Sequence, residues 1–251
     1  MSTPALSIVI PVFNEAENVG AVIAEALEKT EDVGAEIIIV DDGSEDGTGE
    51  AVKRASEGSS RVRYIHHPKR SGKSAALRTG FLAARAVWVG TMDGDGQDDP
   101  DDVLAMAREV DLSTVGAVGL VGGVRKQRTD GASRKTASRL ANGLRKRLLN
   151  DDCPDTACGL KLVPRDVFLA LPFFDALHRY LPALVQHLGF EARYVPVENR
   201  PRAHGVSKYS NIGRAAAGLF DLMGVLWLMR RTHSPAPELL LRSETAMKAE
   251  G

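Results

Sequence analysis

Two hydrophobic periods take turns along the first part of the chain. Leu6, Ile8, Val9, Ile10 and Val12 make 6–12 an apolar run of strand length, whereas Val19, Val22, Ile23, Ala26 and Leu27 recur at helical spacing within 17–29. The alternation repeats. A strand over 36–40 ends at Asp41-Asp42-Gly43-Ser44, and Asp46-Gly47-Thr48 opens a helix running toward Ala55. A third strand is expected over 62–65, a third helix over 71–84 and a fourth strand over 86–91. The acidic run at 98–102, with Pro100 inside it and Val103 behind it, reads as the start of another helix. This rhythm predicts an α/β fold: a mainly parallel central sheet with helices on both faces.

Beyond this region the pattern is looser. A strand is expected over 117–121, a loop over 151–161, a helix near 175–188 and a strand over 192–197. Residues 133–149 have the spacing of a basic amphipathic helix, with Leu140, Leu144 and Leu148 along one stripe among arginines and lysines. The last apolar stretch, 215–229, contains Asp221 and is flanked by Arg214, Arg230 and Arg231; a membrane-spanning helix needs roughly 20 apolar residues. It is too short to cross a bilayer and too apolar for an ordinary surface helix, which leaves contact with a membrane surface, a dimer interface or the protein's own core. These boundaries divide the chain into a main domain over 1–211, an apolar interface segment over 212–231 and a tail over 232–251.

Composition narrows the class. The 251 residues are 43% hydrophobic, enough for a sizeable core, and the formal net charge of −1 gives no bulk reason to expect nucleic acid. Only Cys153 and Cys158 are present, without a histidine pair at zinc spacing, so they read as free thiols of a reducing compartment. The amino terminus has no basic region followed by an apolar core, so no secretory signal is expected and the protein is expected in the cytoplasm.

Candidate chemistry gathers where strands end. In parallel sheets ligands collect at the carboxyl ends of the strands, and Asn14-Glu15, Asp41-Asp42 and Asp93-Asp95 all fall just past such ends. Asp93 and Asp95 stand at i and i+2, so in extended chain they point the same way, and Gly94 and Gly96 permit a tight turn. With the Gln97 amide they make an oxygen-only ligand set suited to Mg²⁺ or Mn²⁺. Two structural readings stand beside this one: an acidic turn capping the next helix, and N-capping by Asp41 or Asp42. An EF-hand is excluded, because its glycine and glutamate positions hold Asp98 and Leu104. Gly72-Lys73-Ser74 is no P-loop, because His67 stands where the first glycine belongs. A nucleotidyltransferase would open with a glycine-rich basic loop, where this chain has Val12-Phe13-Asn14-Glu15.

Taken in order, 10–15, 40–48, 71–80, 92–100, 155–161 and 202–209 resemble the inverting nucleotide-sugar glycosyltransferases of the GT-A fold. Within them they are similar to the polyprenyl-phosphate sugar transferases related to dolichol-phosphate mannosyltransferase. The resemblance implies that 1–211 is a catalytic domain using a divalent ion to move a sugar from a GDP- or UDP-linked donor to a polyprenyl phosphate. It implies that Pro11, Val12, Asn14, Glu15 and Asp42 line the nucleotide pocket, with Asp42 near the base or ribose and Gln97 near the metal. Arg125, Arg134 and Ser138 match positions for the acceptor phosphate, and Arg202 and Lys208 match the basic motif near the donor diphosphate. Asp93 and Asp95, with Arg125 and Arg134, would then carry the catalysis.

Chemistry agrees with such an acceptor. A phosphate monoester has a second pKa near 6, so its attacking oxygen is already ionised at neutral pH and needs no strong base, only cations to hold two phosphates together. A transferase acting on a sugar hydroxyl would need a carboxylate base, for which Asp155 is the candidate, and a nucleotide-sugar-binding protein without turnover is a third reading. Many members of the resembling family carry transmembrane helices after this domain, and no segment of this chain has the length. The lipid is therefore expected to be reached from the inner membrane surface, through 215–229 or through a membrane or homodimeric partner.

Overall fold

The computed structural model describes residues 3–126, 145–198, 200–201 and 211–232. Its strands are β1 (Ser7–Val12), β2 (Glu36–Asp41), β3 (Val62–His66), β4 (Trp88–Thr91), β5 (Val118–Arg125), β6 (Lys161–Pro164) and β7 (Glu191–Val197). Its helices are α1 (Val19–Lys29), α2 (Thr48–Ala55), α3 (Lys73–Ala83), α4 (Pro100–Ala107), α5 (Arg165–Ala170), α6 (Leu181–His187) and α7 (Asn211–Arg231). Residues 145–149 are also helical.

The strands form one sheet in the order β3-β2-β1-β4-β6-β5-β7. β1 pairs in parallel with β2 and β4, β2 with β3 and β5 with β7, so the sheet is mostly parallel as the alternation predicts. β6 is the exception. It lies antiparallel between β4 and β5, in a stretch where the hydrophobic pattern marks neither this strand nor α5. Four strand residues joined directly to a six-residue helix are too few for either period to register. The helix expected near 175–188 divides into a 3₁₀ turn, Leu177–Arg179, and α6, which starts afresh with Pro182 in its first turn.

Successive side chains of the central strands enter opposite layers. Ile8, Ile10, Ile37 and Ile39 pack with Val19 and Ile23 of α1, Val52 of α2 and Val103 and Met106 of α4. Val9, Ile38 and Val40 pack with Leu77 and Phe81 of α3, Phe168 of α5, Leu184 of α6 and Leu222 and Val225 of α7. Each fully buried aliphatic side chain contributes about 1.5–3 kcal/mol relative to exposure, so the two layers hold the strand ends in fixed register.

Candidate active site

Adjacent parallel strands β2, β1 and β4 bring the loops after Asp41, Val12 and Thr91 to one edge. The first two loops are tied together. Asn14, at φ 53°, donates its N–H to Ser44 Oγ (2.8 Å) and accepts from the Glu45 N–H through Oδ1 (3.0 Å). Glu15 donates its N–H to Thr48 Oγ1 (2.9 Å), and its carboxylate receives the Asn18 amide (2.7 Å). Asn14 and Glu15 thus tie the loop after β1 to the loop after β2 at the rim of this edge.

Asp41 and Asp42 point to opposite faces. Burial opposes charge on Asp41, but hydrogen bonds from Ser44 and Tyr64 outweigh it and hold the carboxyl below its usual pKa. Asp42 accepts the N–H groups of Ser71 (2.8 Å) and Gly72 (2.7 Å) and lies 2.9 Å from His67 Nδ1. Its carboxylate thereby folds the turn before α3 against the end of β2. Neither aspartate caps α2, whose N-cap is Gly47; the side chain of Asp46 receives the Thr48 N–H instead. On the same turn Arg70 lies over the Phe13 ring, 4.3 Å from its centroid.

The loop after β4 carries the acidic group. Asp93 is paired with the Lys73 ammonium at the start of α3, and its N–H donates to Asp98 Oδ2 (2.8 Å). Asp95 Oδ1 receives the Gln97 N–H (3.2 Å), while the Gln97 side-chain amide donates to the Arg200 carbonyl (3.0 Å). The structure therefore sets Gln97 against the 200–201 segment. Gly94 packs on the end of β1, where a Cβ would meet Val12 Cγ1 at 2.5 Å and the Pro11 carbonyl at 3.4 Å. Pro11 and Val12 thus border the acidic loop.

From the far side, Lys161 opens β6 opposite Thr91, and Thr91 Oγ1 donates to the Gly159 carbonyl (2.6 Å). This brings Gly159 so near that a Cβ there would lie 2.9 Å from the Asp93 carboxyl. Lys161 is buried, donates to the Cys158 carbonyl and has its pKa lowered by burial. Burial and the Lys73 and Lys161 charges pull His178 down to about 3, so its ring is neutral; Nδ1 lies 2.9 Å from Ser74 Oγ. Burial and the Asp93 charge push Asp98 up to about 7.

Asp93, Asp95 and Asp98 raise the pKa of the Lys73 ammonium against burial, and the buried Lys161 adds a second, more distant positive charge that also lowers the pKa of Asp93. Carboxylate oxygens gathered in one loop are donors that fit a hard divalent ion. Among the described residues no three His, Cys, Asp or Glu side chains are arranged to hold a metal. Asp93 and Asp95, with the Gln97 amide oxygen, would hold Mg²⁺ or Mn²⁺ were one bound here.

Arg125 ends β5 in a two-pronged pair with Asp155, Nε to Oδ2 at 2.7 Å and Nη2 to Oδ1 at 2.9 Å. The acceptor-phosphate positions Arg134 and Ser138 and the basic-motif positions Arg202 and Lys208 lie outside the described residues. Lys73, Lys161, His178, Asp98 and the Phe13–Arg70 stack were not assigned to the site from the sequence. Lys73 had a signal, since a lysine opening a helix opposes the macrodipole; Asp98 lies in the acidic loop itself, and Lys161, His178 and Arg70 are brought in by distant chain segments.

Residues 7–171 match the family model described as Glycosyl transferase family 2. The chain is 33% identical over 236 residues to the dodecaprenyl-phosphate galacturonate synthase of Rhizobium johnstonii, covering 92% of this chain and 69% of that protein. It is 30% identical over 225 residues to the undecaprenyl-phosphate 4-deoxy-4-formamido-L-arabinose transferase of Edwardsiella ictaluri, covering 88% and 66%. It thus spans about two thirds of these relatives' length. Glucosyl-3-phosphoglycerate synthase of Mycobacterium tuberculosis, solved with Mn²⁺, UDP and glucosyl-3-phosphoglycerate, superposes with a TM-score of 0.64 at 20% identity, covering 92% of this chain and 81% of the other. The same synthase has been solved with Mg²⁺ and UDP, at a TM-score of 0.65 and 19% identity over 92% and 80% of the two chains.

Proposed function

Because the chain belongs to Glycosyl transferase family 2, we propose that it is an inverting glycosyltransferase carrying a sugar from a nucleoside diphosphate to a polyprenyl phosphate. The observation that carries this reading is the Asp93–Asp95 loop, with Lys73 on it, at the carboxyl edge of three parallel strands. A divalent ion held there would supply electrostatic stabilisation of the departing diphosphate. The rim built by Pro11, Val12, Asn14 and Glu15 orients the nucleotide. Asp42, by fixing the turn at 71–72, aims Lys73 at the same spot.

The polyprenyl acceptor is favoured over a sugar hydroxyl by the state of Asp155. A carboxylate held by two hydrogen bonds from one guanidinium is a poor proton acceptor, and a phosphate acceptor requires none. Arg125, with Arg134 and Ser138, is assigned to that phosphate, and Arg202 and Lys208 to the donor diphosphate. In-line attack on an α-linked donor then yields a β-linked sugar phosphate. Relatives named for galacturonate and for a formamido-arabinose point to a uronic acid or aminosugar, and a solved neighbour bound to UDP points to uridine.

No helix among the described residues is long and apolar enough to cross a membrane. In this reading the lipid is met at the cytoplasmic membrane surface by α7. Leu219, Phe220, Met223 and Trp227 are exposed on one side of it, and Arg230 and Arg231 follow at its end.

The test is transfer from a panel of UDP- and GDP-sugars to undecaprenyl phosphate with Mn²⁺, reading labelled sugar in the organic phase. Asp95→Asn should lower the rate by about a hundredfold or more while leaving the thermal midpoint within a few degrees. Transfer to sugar-terminated acceptors alone, or an unimpaired Asp95→Asn enzyme, would defeat the assignment.

A further inference from the structure

Lys73 is the first residue of α3, where its charge meets the positive end of the helix dipole, so helix stability does not explain it. The backbone N–H groups just before it, on Ser71 and Gly72, are taken by Asp42. What Lys73 does is neutralise the acidic loop: its ammonium lies on Asp93 Oδ1, with the charges of Asp98 and Asp95 close by. Among the described residues, no other basic group makes a hydrogen bond or ion pair with Asp93, and Lys161 acts on it only through space. Lys161 is buried against the Cys158 carbonyl, and His178 is neutral beside Ser74. The Lys73–Asp93 pair is partly exposed, with side-chain exposures of 33% and 37%, so it can part without unpacking the core.

An ammonium and a divalent cation cannot both bind one carboxylate oxygen without strong mutual repulsion. We propose that Lys73 is a tethered counter-ion that the divalent ion displaces from Asp93, and that the released ammonium then turns to the nucleotide's diphosphate. The inference rests on the metal reading of Asp93 and Asp95 above, and adds that metal and nucleotide bind cooperatively because one lysine is exchanged between them. Without nucleotide, the metal must expel Lys73 with no anion to receive it. With nucleotide, the diphosphate receives both cations. By linkage, the nucleotide must tighten the metal by the same factor as the metal tightens the nucleotide.

The experiment is Mn²⁺ titration of the whole protein followed by electron paramagnetic resonance, with and without UDP, for the native chain, Lys73→Met and Lys73→Arg. Lys73→Met should bind Mn²⁺ alone about tenfold more tightly than the native chain, and the tightening produced by UDP should shrink toward unity. Lys73→Arg should keep the weak metal binding of the native chain. In the native chain itself, Mn²⁺ and UDP together should raise the thermal midpoint by more than the sum of their separate shifts. Unchanged or weaker Mn²⁺ binding in Lys73→Met, an equal UDP effect in both proteins, or additive shifts in the native chain would each overturn the exchange. Those results would leave the transferase reading intact, whereas a native chain that binds no Mn²⁺ even with UDP would remove both.

Discussion

Asp93 shares its surroundings with a glycine 66 positions away in sequence, and the absence of that side chain decides how the carboxylate can turn. A Cβ on Gly159 would sit 2.9 Å from the Asp93 carboxyl, close enough to force it off its present line. Overpacking of this kind costs about 1–3 kcal/mol of stability, and Gly159→Ala should also weaken Mn²⁺ binding by moving the Asp93 carboxyl off its present line. Calorimetric titration against the native chain checks this, and unaltered Mn²⁺ affinity would mean that Asp93 is not a ligand. At this scale the sequence was informative in one direction. The i, i+2 spacing of Asp93 and Asp95 marked the loop, but nothing local shows that Lys73 lies on Asp93 or that Asp155 clasps Arg125.

The acidic loop is held as an element by the segment that follows β7. Arg200 donates its N–H to the Gln97 carbonyl (3.1 Å) and accepts from the Gln97 amide, a reciprocal pair between the two segments. Its guanidinium reaches both oxygens of Glu25 on α1, at 2.8 and 3.0 Å, and Asp99, the N-cap of α4. Arg200 therefore positions the loop through Gln97, Glu25 and Asp99. The side chain is one-third exposed, and partly solvated pairs are worth about 1 kcal/mol, so Arg200→Ala should raise the Mn²⁺ half-saturation of transfer by about fivefold with little change in kcat. Arg200→Lys should recover part of that loss. A fall in kcat at unchanged half-saturation would assign Arg200 to the chemistry instead. Lys29 bridges Asp99 and Asp101 beside it, so the loop remains anchored to α1 when Arg200 is removed.

Considered whole, the molecule presents on α7, among the described residues, an apolar face that its own core does not cover. On α7, Leu222 and Val225 enter the layer beneath the sheet, and Tyr180 ties the helix down through the Gly218 carbonyl (3.2 Å). Leu219, Phe220, Met223 and Trp227 recur at i, i+1, i+4 and i+8 on the other side, with Phe220 73% and Trp227 62% exposed. Burying such a ring in lipid gains about 1.5–3 kcal/mol, so Phe220→Ser with Trp227→Ser should lower binding to anionic vesicles by at least about a hundredfold. Vesicle flotation measures it, and raised salt should weaken binding of the native chain through Arg230 and Arg231. Equal flotation of both proteins, with the variant dissociating from a dimer to a monomer, would assign the face to a second copy of the chain.

Strand and helix order through α4, the parallel character of the sheet's first half and the loops that carry acidic residues could all be read from the sequence. Each depends on hydrophobic period and on turn residues next to it, which are properties of neighbours along the chain. Tertiary structure decided the rest: β6 running against its neighbours, Asp42 gripping the turn before α3, Lys73 meeting Asp93, and Arg200 reaching back to α1. Those partners are 20 to 175 residues apart. Their meeting is set by how the layers pack around one sheet, and no local periodicity encodes it.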